Sequence, residues 1–389
     1  MTSLLPRLLA LFALALPAAL HSENTYSIQP LLDRKAPPPS PLIHDDRRVT
    51  FFFRAPQVDE VVLAWGEWKP EQHPMERSTD GLWSVTVGPV EPGLYGYNFI
   101  VDGLWVLDRA NPTVKAGTVV YSSLVDVPGK PPRFDQRQNV PQGAVHIHHF
   151  YAPELDRMRG YRVYTPPGYD PAGEQRYPVL YLRHGMGDHE GNWTQEGRAD
   201  VILDNLIAAG KAEPMIVVMP NGLLDGSWAG GSMPEGIEGL ERELFRDIML
   251  QVEQRYRVKT GPAHTAIAGL SMGGGQSFLI GLRHPERFGW VGDFSSGLLS
   301  AVEFKVEERI PGLYDRAEEV NKHYGLIYLA CGTDDPRLEG HQELVAELRA
   351  HNIDVAYHET PGGHEWSVWR EELRNLAQQL FKKSPTKKQ

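Results

Sequence analysis

The sequence predicts an α/β fold that is preceded by a smaller β-sandwich, and two observations lead to this prediction. Residues 44–127 contain short β-branched or aromatic runs separated by Gly, Pro and Asp turns, a pattern typical of an immunoglobulin-like β-sandwich domain. Between residues 144 and 382, apolar runs alternate with helix-like segments. This alternation predicts a parallel sheet that is covered by helices on both faces.

Composition narrows the class of protein. The chain has 389 residues, enough for two domains with apolar cores. Its formal net charge of −11 and the lack of a basic stripe in the sequence argue against a nucleic-acid partner. Because Cys331 is the single cysteine, an intrachain disulfide framework and a Cys-based metal site are excluded.

The N-terminus has the pattern of a secretory signal peptide, which we place at residues 1–22. Arg7 supplies a positive region, residues 8–20 are apolar, and small residues follow at 18–22. This apolar run is short for a membrane span, although an uncleaved anchor is the alternative. We therefore expect a secreted or periplasmic protein with no membrane span, with a Pro-rich linker at residues 23–43 and a basic tail at residues 383–389.

Four strands are predicted inside the sandwich region, at residues 49–53, 61–65, 82–87 and 95–101. The region resembles the isoamylase N-terminal, or glycogen-binding-like, sandwich family. The matching stretches are Trp65-Gly66-x-Trp68, Gly81-Leu82-Trp83 and the aromatic run from Pro92 to Gly103. The resemblance makes Trp65, Trp68, Trp83 and Trp105 candidates for stacking on sugars. Alternating aromatics in sandwich strands usually form core, so we favour a docking or lid role for this domain.

Residues 128–143 are rich in Pro and Gly and form the predicted linker between the domains. The strand that follows, at residues 145–151, places His146 and His148 on one face. Two such histidines could bind zinc, but no third ligand lies nearby in the sequence, and we favour a plain sheet face. We expect no metal and no cofactor.

The second domain begins at residue 144 and alternates strands with helices. Helices are predicted at residues 199–209 and 240–256. The predicted strands, after the one at 145–151, are at 161–169, 177–185, 215–220, 265–268, 290–294, 326–330 and 355–358.

The stretch Gly269-Leu270-Ser271-Met272-Gly273 has the G-x-S-x-G spacing of a nucleophile elbow. A short apolar strand precedes it and a helix-like segment follows, as this sharp turn requires. The turn should hold Ser271 in a strained backbone conformation, and side chains at the two glycines would clash with the neighbouring strand and helix. Ser271 is therefore the candidate nucleophile.

The remaining parts of a serine-hydrolase site follow other predicted strands. The Gly-rich loop at residues 184–193 should supply the backbone N–H of Met186 to an oxyanion hole, and the residue after the nucleophile should supply that of Met272. Asp334 or Asp335 would be the acid, and His364 the base. The order Ser, Asp, His is that of the α/β-hydrolase fold.

Residues 144–382 resemble the family named Putative esterase, in particular the feruloyl and acetyl xylan esterases of carbohydrate esterase family 1. The resemblance rests on His184-Gly185-x-Gly187-x-x-Glu190-x-x-Trp193, Met219-Pro220-Asn221-Gly222, Cys331-Gly332-Thr333-x-Asp335 and Gly362-Gly363-His364-x-Trp366, besides the elbow. It implies that Asp335, the last Asp of its motif, is the triad acid. It also implies a secreted serine esterase that removes feruloyl or acetyl groups from xylan, so the expected partner is an acylated polysaccharide or oligosaccharide.

Three tryptophans are candidate substrate contacts. Trp193 and Trp366 flank the oxyanion and histidine loops, and Trp228 lies in a Gly-rich loop that could form a lid or acyl pocket. The alternative for the first two is structural packing.

Other functions stay open. A siderophore trilactone esterase would need a cationic pocket, and no Arg cluster is obvious in the sequence. An acyltransferase would use the same triad. A non-catalytic glycan-binding protein would not need an intact triad. The acyl group, the glycan and the oligomeric state have no readable code in the sequence.

Overall fold

The computed structural model describes residues 38–67, 70–153, 155–224, 230–231, 234–296 and 305–382. The predicted signal peptide, most of the Pro-rich linker, the basic tail, Trp68 and Trp228 lie outside these residues. Within the described part of the chain, no helix is long and apolar enough to cross a membrane.

The N-terminal part folds into two antiparallel sheets. One has the order β1-β2-β6-β5 and the other the order β4-β3-β7-β10-β9, with β8 paired to β7. The strands are β1 (Leu42–Ile43), β2 (Val49–Arg54), β3 (Val61–Trp65), β4 (Glu71–Pro74), β5 (Glu76–Arg77), β6 (Leu82–Val87), β7 (Gly93–Val101), β8 (Leu104–Val106), β9 (Val114–Ala116) and β10 (Val120–Val127).

A shared apolar core joins the two sheets. Val49 and Phe51 of β2 pack with Leu63, Tyr97 and Phe99 of the opposite sheet, and all five are fully buried. The alternation of apolar and polar residues places these side chains on the inner faces, as the period of a strand requires. The β-rich N-terminal region is thus as predicted, and its immunoglobulin-like topology stays a prediction.

The tryptophans of this region have different environments. Trp83 is buried and donates its Nε1–H to the carbonyl oxygen of Ala55 at 2.8 Å. Trp65 is half-buried and packs edge-on against Phe51. Trp105 is 58% exposed. Trp83 is therefore a core residue, and Trp105 is the candidate with an exposed ring among those the structure describes.

The C-terminal part is built on an eight-stranded sheet of order β11-β12-β14-β13-β15-β16-β17-β18. From β14 onward all neighbours are parallel, whereas β11 and β12 form an antiparallel hairpin that joins the edge of the sheet. The expectation of a parallel sheet does not hold at this edge, because a short turn connects β11 to β12 and forces opposite directions. The strands are β11 (Ala144–Ala152), β12 (Arg157–Thr165), β13 (Val179–Arg183), β14 (Ile216–Pro220), β15 (Thr265–Leu270), β16 (Trp290–Phe294), β17 (Leu326–Gly332) and β18 (Ala356–Thr360).

Helices cover both faces of this sheet. Ile267 of β15 faces one apolar core, and its neighbours Ala266 and Ala268 face the other. The helix predicted at residues 240–256 consists of two α-helices joined by a π-helical turn, Leu244–Ile248. The α-helices are α1 (Asn192–Gln195), α2 (Ala199–Ala208), α3 (Pro234–Glu243), α4 (Met249–Arg255), α5 (Met272–Arg283), α6 (Val306–Arg309), α7 (Ala317–His323), α8 (Leu338–Ala350) and α9 (Trp366–Ala377).

The predicted linker at residues 128–143 is fixed to the C-terminal part by ion pairs. Its residue Asp135 forms ion pairs with Arg133 at 2.8 Å and with Arg370 of α9 at 2.9 Å. The side chains of Asp135 and Arg370 are only 4% and 5% exposed. At the end of β10, Asp126 pairs with Arg198 at 2.8 Å. These ion pairs connect the N-terminal sheets to the helices of the C-terminal part.

Candidate active site

Ser271 stands at the sharp turn between β15 and α5. Its backbone has φ 49° and ψ −122°, a conformation that L-residues rarely adopt. The N–H of Ser271 donates to the carbonyl oxygen of Phe294 at 2.7 Å, which ties the turn to the next strand. The strain expected from the sequence is therefore present at the candidate nucleophile.

The two glycines of the elbow are required by close backbone contacts. A Cβ on Gly269 would lie 2.4 Å from the carbonyl oxygen of Gly273 and 2.8 Å from that of Arg183. A Cβ on Gly273 would lie 2.4 Å from the carbonyl oxygen of His184. Because these neighbours are backbone atoms that cannot rotate away, any side chain would force the turn open.

The structure brings Ser271, His364 and Asp335 together. Nε2 of His364 lies 3.0 Å from Oγ of Ser271, and Nδ1 of His364 lies 2.7 Å from Oδ2 of Asp335. Ser271 follows β15, Asp335 follows β17, and His364 lies in the turn between β18 and α9. The carboxyl ends of parallel strands meet at one edge of a sheet, which explains why three distant residues converge.

Asp335 is held as a carboxylate. Burial works against its charge, but the hydrogen bonds from His364 and from the N–H of Arg337 outweigh it and lower the pKa of Asp335. Asp334, by contrast, is exposed. An ionised Asp335 keeps a proton on Nδ1 of His364, so Nε2 is free to accept one from Ser271.

The two candidate oxyanion donors lie beside Ser271. Met272 is the first residue of α5, and the first N–H groups of a helix have no partner inside the helix. Met186 lines the cavity above Ser271, together with Gly185. Met272 thus directly follows Ser271 and Met186 lines the same cavity, and the role of their amides as an oxyanion hole stays a prediction.

A buried network shapes the loop that carries Met186. The ring of His184 accepts the N–H of Gly222 at Nε2, at 2.7 Å, and its Nδ1 lies 2.9 Å from the carbonyl oxygen of Gly185. Burial lowers the pKa of His184 to about 4, so the ring is neutral and Nδ1 carries the proton that Gly185 accepts. Beside it, Arg183 donates to Gln276 at 3.0 Å. Sequence reasoning noted His184 only as part of a motif and missed this supporting role.

A cavity of about 330 Å³ opens above Ser271, in the size range of small ligand pockets. The C-terminal part contributes most of its wall, and the N-terminal part contributes three residues. The lining residues are Glu67, Lys115, Tyr121, Gly185, Met186, Asp188, Leu270, Ser271, Arg337, His364, Glu365, Trp366 and Trp369.

The contribution of the N-terminal sheets was not predicted residue by residue. Lys115 of β9 forms an ion pair with Glu67 at 2.7 Å, and Tyr121 of β10 donates to the carbonyl oxygen of Gly187 at 3.1 Å. Burial opposes the charge of Lys115, but contact with Glu67 outweighs it and raises the pKa of Lys115. The N-terminal part thus docks on the oxyanion loop, in line with the docking role that we favoured.

Two buried carboxyl groups, those of Asp188 and Glu196, lie near Lys115. Burial raises the pKa of Asp188 to about 7 and that of Glu196 to about 8, in spite of nearby Lys115. Asn192 links the cluster, because its Nδ2 donates both to Oε2 of Glu196 and to the carbonyl oxygen of Ala116, each at 2.8 Å. Both acids therefore hold protons over much of the range below neutrality.

The predicted tryptophan contacts differ in the structure. Trp193 is 1% exposed, donates its Nε1–H to the carbonyl oxygen of Arg183 at 2.9 Å and is absent from the cavity wall. Its ring packs edge-on against that of Trp366, with 5.1 Å between the ring centroids. Trp193 therefore fits the alternative of structural packing. Trp366 does reach the cavity, although only 4% of it is exposed. Trp228 lies outside the described residues.

His146 and His148 behave as sheet residues. His148 stacks on Tyr161 and its Nε2 lies 2.5 Å from the hydroxyl of Tyr256, while Nε2 of His146 lies 3.2 Å from Oγ1 of Thr165. Within the described ranges, no group of three or more His, Cys, Asp or Glu residues is arranged to hold a metal ion. These residues therefore give no support for a zinc site.

The curated relatives that the chain matches include proteins named as esterases. One is an endo-1,4-beta-xylanase/feruloyl esterase from Xylanibacter ruminicola, 30% identical over 348 residues, which covers 88% of this chain and 46% of that protein. An acetyl esterase from Caldicellulosiruptor saccharolyticus is 26% identical over 147 residues, covering 31% of this chain and 55% of that protein. The chain spans about half the length of the first curated relatives that it matches.

Solved structures agree with the fold described above. A ferulic acid esterase from Anaeromyces mucronatus has a TM-score of 0.54 and 25% identity, covering 63% of this chain and 93% of its own. The enterobactin esterase of Shigella flexneri has a TM-score of 0.62 over 86% of this chain and 93% of its own, but its 20% identity shows the fold alone.

The family model described as Putative esterase matches residues 152–380, more than half of the chain and the segment that carries the elbow, Asp335 and His364. The C-terminal part accordingly has the α/β-hydrolase fold, with the N-terminal β-rich region in front of it. The chain therefore belongs to the Putative esterase family, a family of carboxylic ester hydrolases.

Proposed function

We propose that the protein hydrolyses carboxylic esters through an acyl-enzyme formed on Ser271, with His364 as general base and Asp335 as its orienting acid. The observation that carries this proposal is the chain of two contacts, 3.0 Å from Ser271 to His364 and 2.7 Å from His364 to Asp335. A serine hydroxyl is a weak nucleophile, and a positioned base removes its proton as it attacks.

The reaction runs in two halves. Oγ of Ser271 bonds to the ester carbonyl carbon while its proton passes to Nε2 of His364, and the carbonyl oxygen becomes an oxyanion that accepts N–H bonds from Met186 and Met272. When the intermediate collapses, the C–O bond to the alcohol breaks and His364 returns the proton to that alcohol. Water then attacks the acyl-enzyme by the same route, which releases the acid and restores Ser271.

The proposed substrates are feruloyl or acetyl esters on xylan. Relatives named as feruloyl and acetyl esterases support this choice, and so does the occurrence of xylanase in the name of the first relative. A cavity of about 330 Å³ next to Ser271 has room for an acyl group and part of its alcohol.

A trilactone esterase for catecholate siderophores fits the cavity less well. An anionic catecholate would need cations that are free to bind it. Lys115, in the cavity wall, is already paired with Glu67, and Arg337 lies 3.9 Å from the carboxylate of Asp335. The likeness to the enterobactin esterase concerns the fold, so it does not favour that substrate.

The test compares kcat/KM on methyl ferulate, acetylated xylan and a catecholate trilactone, for the wild type and for Ser271→Ala. We expect turnover of methyl ferulate or acetylated xylan, and a loss of about 10⁶-fold in kcat in the variant, as for removal of a serine nucleophile elsewhere. Circular dichroism checks that the variant is folded. Unchanged turnover in a folded Ser271→Ala protein excludes the mechanism, and binding of xylan without any ester turnover supports a glycan-binding protein.

We further propose that the protein is exported, on the strength of the signal-like pattern at residues 1–22. Fractionation of cells that express the full chain, with N-terminal sequencing of the exported product, tests this. Recovery of the uncleaved chain in the cytoplasm contradicts it.

A further inference from the structure

A second cavity, of about 290 Å³, lies at the junction between the N-terminal sheets and the C-terminal part. Its walls come from both sides of that junction. The lining residues are Gly66, Glu67, Leu94, Tyr95, Gly96, Leu124, Glu196, Glu365, Trp366, Ser367 and Arg370.

This junction cavity adjoins the cavity above Ser271. Glu67, Glu365 and Trp366 line both of them. Glu365 and Trp366 directly follow His364 in the chain, so the shared wall begins next to the candidate base. The two cavities therefore lie side by side, and the residues that they share stand next to the candidate base.

The chemistry of the junction cavity suits a neutral, hydroxyl-rich ligand. Glu67 and Glu365 offer carboxylate oxygens, which accept hydrogen bonds from hydroxyl groups. Tyr95 and Trp366 add aromatic surface of the kind that lines ligand sites. A few convergent polar groups among aromatic side chains is the usual composition of a small-molecule site.

The cations near this cavity are already neutralised. Arg370 is buried and pairs with Asp135 at 2.9 Å, and Lys115 pairs with Glu67 at 2.7 Å. An anionic ligand would have to compete with these carboxylates and would meet the charge of Glu365 as well. The walls consequently favour an uncharged ligand over a carboxylate, a phosphate or a catecholate.

We propose that the junction cavity is a glycan subsite, which binds sugar residues of the alcohol portion of the substrate while its ester lies at Ser271. This inference rests on the proposed esterase function and adds the substrate class that the junction recognises. It also gives the N-terminal part a role in substrate selection, since Leu94 and Tyr95 belong to β7 and Glu67 follows β3.

The test plugs the junction cavity without altering the triad. Ser367 is exposed on the first turn of α9 and lines the cavity, so Ser367→Trp should fill it with an indole. The two substrates are methyl ferulate, which lacks a glycan, and a feruloylated arabinoxylo-oligosaccharide. We expect kcat/KM for the oligosaccharide, relative to methyl ferulate, to fall by about tenfold or more, mainly through KM.

Two further variants control the result. Gln379→Trp places the same indole at an exposed position just beyond α9, away from both cavities, and should keep the wild-type ratio. Leu94→Trp fills the cavity from the N-terminal side and should reproduce the effect of Ser367→Trp. The same effect in two independent variants would not be explained by misfolding of one of them.

The outcomes separate the two proposals. If the wild type fails on both substrates and on acetylated xylan as well, the proposed esterase function itself is wrong. If the wild type cleaves methyl ferulate and the oligosaccharide but both plugged, folded variants keep its ratio, the glycan subsite is wrong and the function stands. A plugged variant that loses activity only on a catecholate trilactone would likewise overturn the glycan subsite.

Discussion

The α-carbon of Gly117 packs so closely on Gly187 that a Cβ at Gly117 would lie 2.1 Å from the carbonyl oxygen of Gly187. The same oxygen accepts hydrogen bonds from the N–H of Thr118 at 2.7 Å and from the hydroxyl of Tyr121 at 3.1 Å. Gly187 directly follows Met186, the candidate oxyanion donor. The turn between β9 and β10 therefore packs against the loop that carries the candidate oxyanion donor.

Gly117→Ala should weaken both the docking of this turn and the reaction. The added methyl group must displace backbone on one side, and overpacking of this kind typically costs about 1–3 kcal/mol of unfolding free energy. We expect a lower melting temperature and a lower kcat on p-nitrophenyl acetate, because the amide of Met186 moves with its loop. Val119→Ala, in the same turn and 58% exposed, should change neither. Wild-type kcat in Gly117→Ala would show that the turn does not position the loop.

Asp335→Asn should damage catalysis far more than Asp334→Asn. The amide of an Asn cannot hold His364 in the tautomer that leaves Nε2 free, and the same change in a serine protease costs about 10⁴-fold in kcat. Asp334 is exposed, so its substitution should leave kcat near the wild-type value. Steady-state kinetics on p-nitrophenyl acetate decide the matter, and the reverse ranking would identify Asp334 as the acid.

Glu196 should make the folded protein less stable as the pH rises. Its pKa in the folded state is about 8, mainly because of burial, against an ordinary value of 4.5. A raised carboxyl pKa contributes stability that is complete below the ordinary value and is lost as the pH rises through the folded value. Asp188, with a pKa of about 7, acts in the same direction.

Glu196→Gln should accordingly flatten the decline in melting temperature between about pH 5 and about pH 9. Gln keeps the shape of the protonated acid and cannot ionise. Glu339→Gln, at an exposed position of α8, is the matched control and should leave the pH profile as in the wild type. A Glu196→Gln protein whose melting temperature falls with pH as steeply as that of the wild type would show that Glu196 does not titrate in this window.

Asp135→Asn should destabilise the fold strongly. The change leaves Arg370, whose side chain is 5% exposed, without its carboxylate, and breaking a buried ion pair typically costs about 3–5 kcal/mol. Asp126→Asn is a fair comparison, since the side chain of Asp126 is 38% exposed and its ion pairs are more hydrated. We expect the second loss to be about 1 kcal/mol or less in urea unfolding. Equal losses in the two variants would show that burial of the Asp135 pair is unimportant.

Much of this architecture could be predicted from local sequence pattern. The apolar strands of the C-terminal part were located within a few residues, and the residues that follow them, Ser271, Asp335 and His364, meet because parallel strands end at one edge. The antiparallel hairpin of β11 and β12 was missed, since an apolar run does not reveal the direction of its neighbour. The π-helical turn at Leu244–Ile248 has no sequence signature either.

The site also contains residues that no local pattern could identify. Glu67 and Lys115 are 48 positions apart and belong to no recognised motif, yet tertiary packing brings them to the cavity of Ser271. Trp193, by contrast, was predicted as a substrate contact but does not line the cavity. It lies next to a catalytic loop in sequence, but its side chain points into the core and bonds to Arg183. Proximity in sequence shows that a residue is near a site, and only packing decides which way its side chain faces.

The junction of the two parts has a consequence for how specificity can change. Ser271, Asp335 and His364 all belong to the C-terminal part, whereas Glu67, Leu94, Tyr95 and Lys115 are encoded in a separate upstream segment. If the proposed glycan subsite is correct, recombination that replaces this segment would change which alcohol portion is bound and would leave the candidate triad unchanged. Such a chimera must retain a glycine at position 117, because the oxyanion loop leaves no space there for a larger residue.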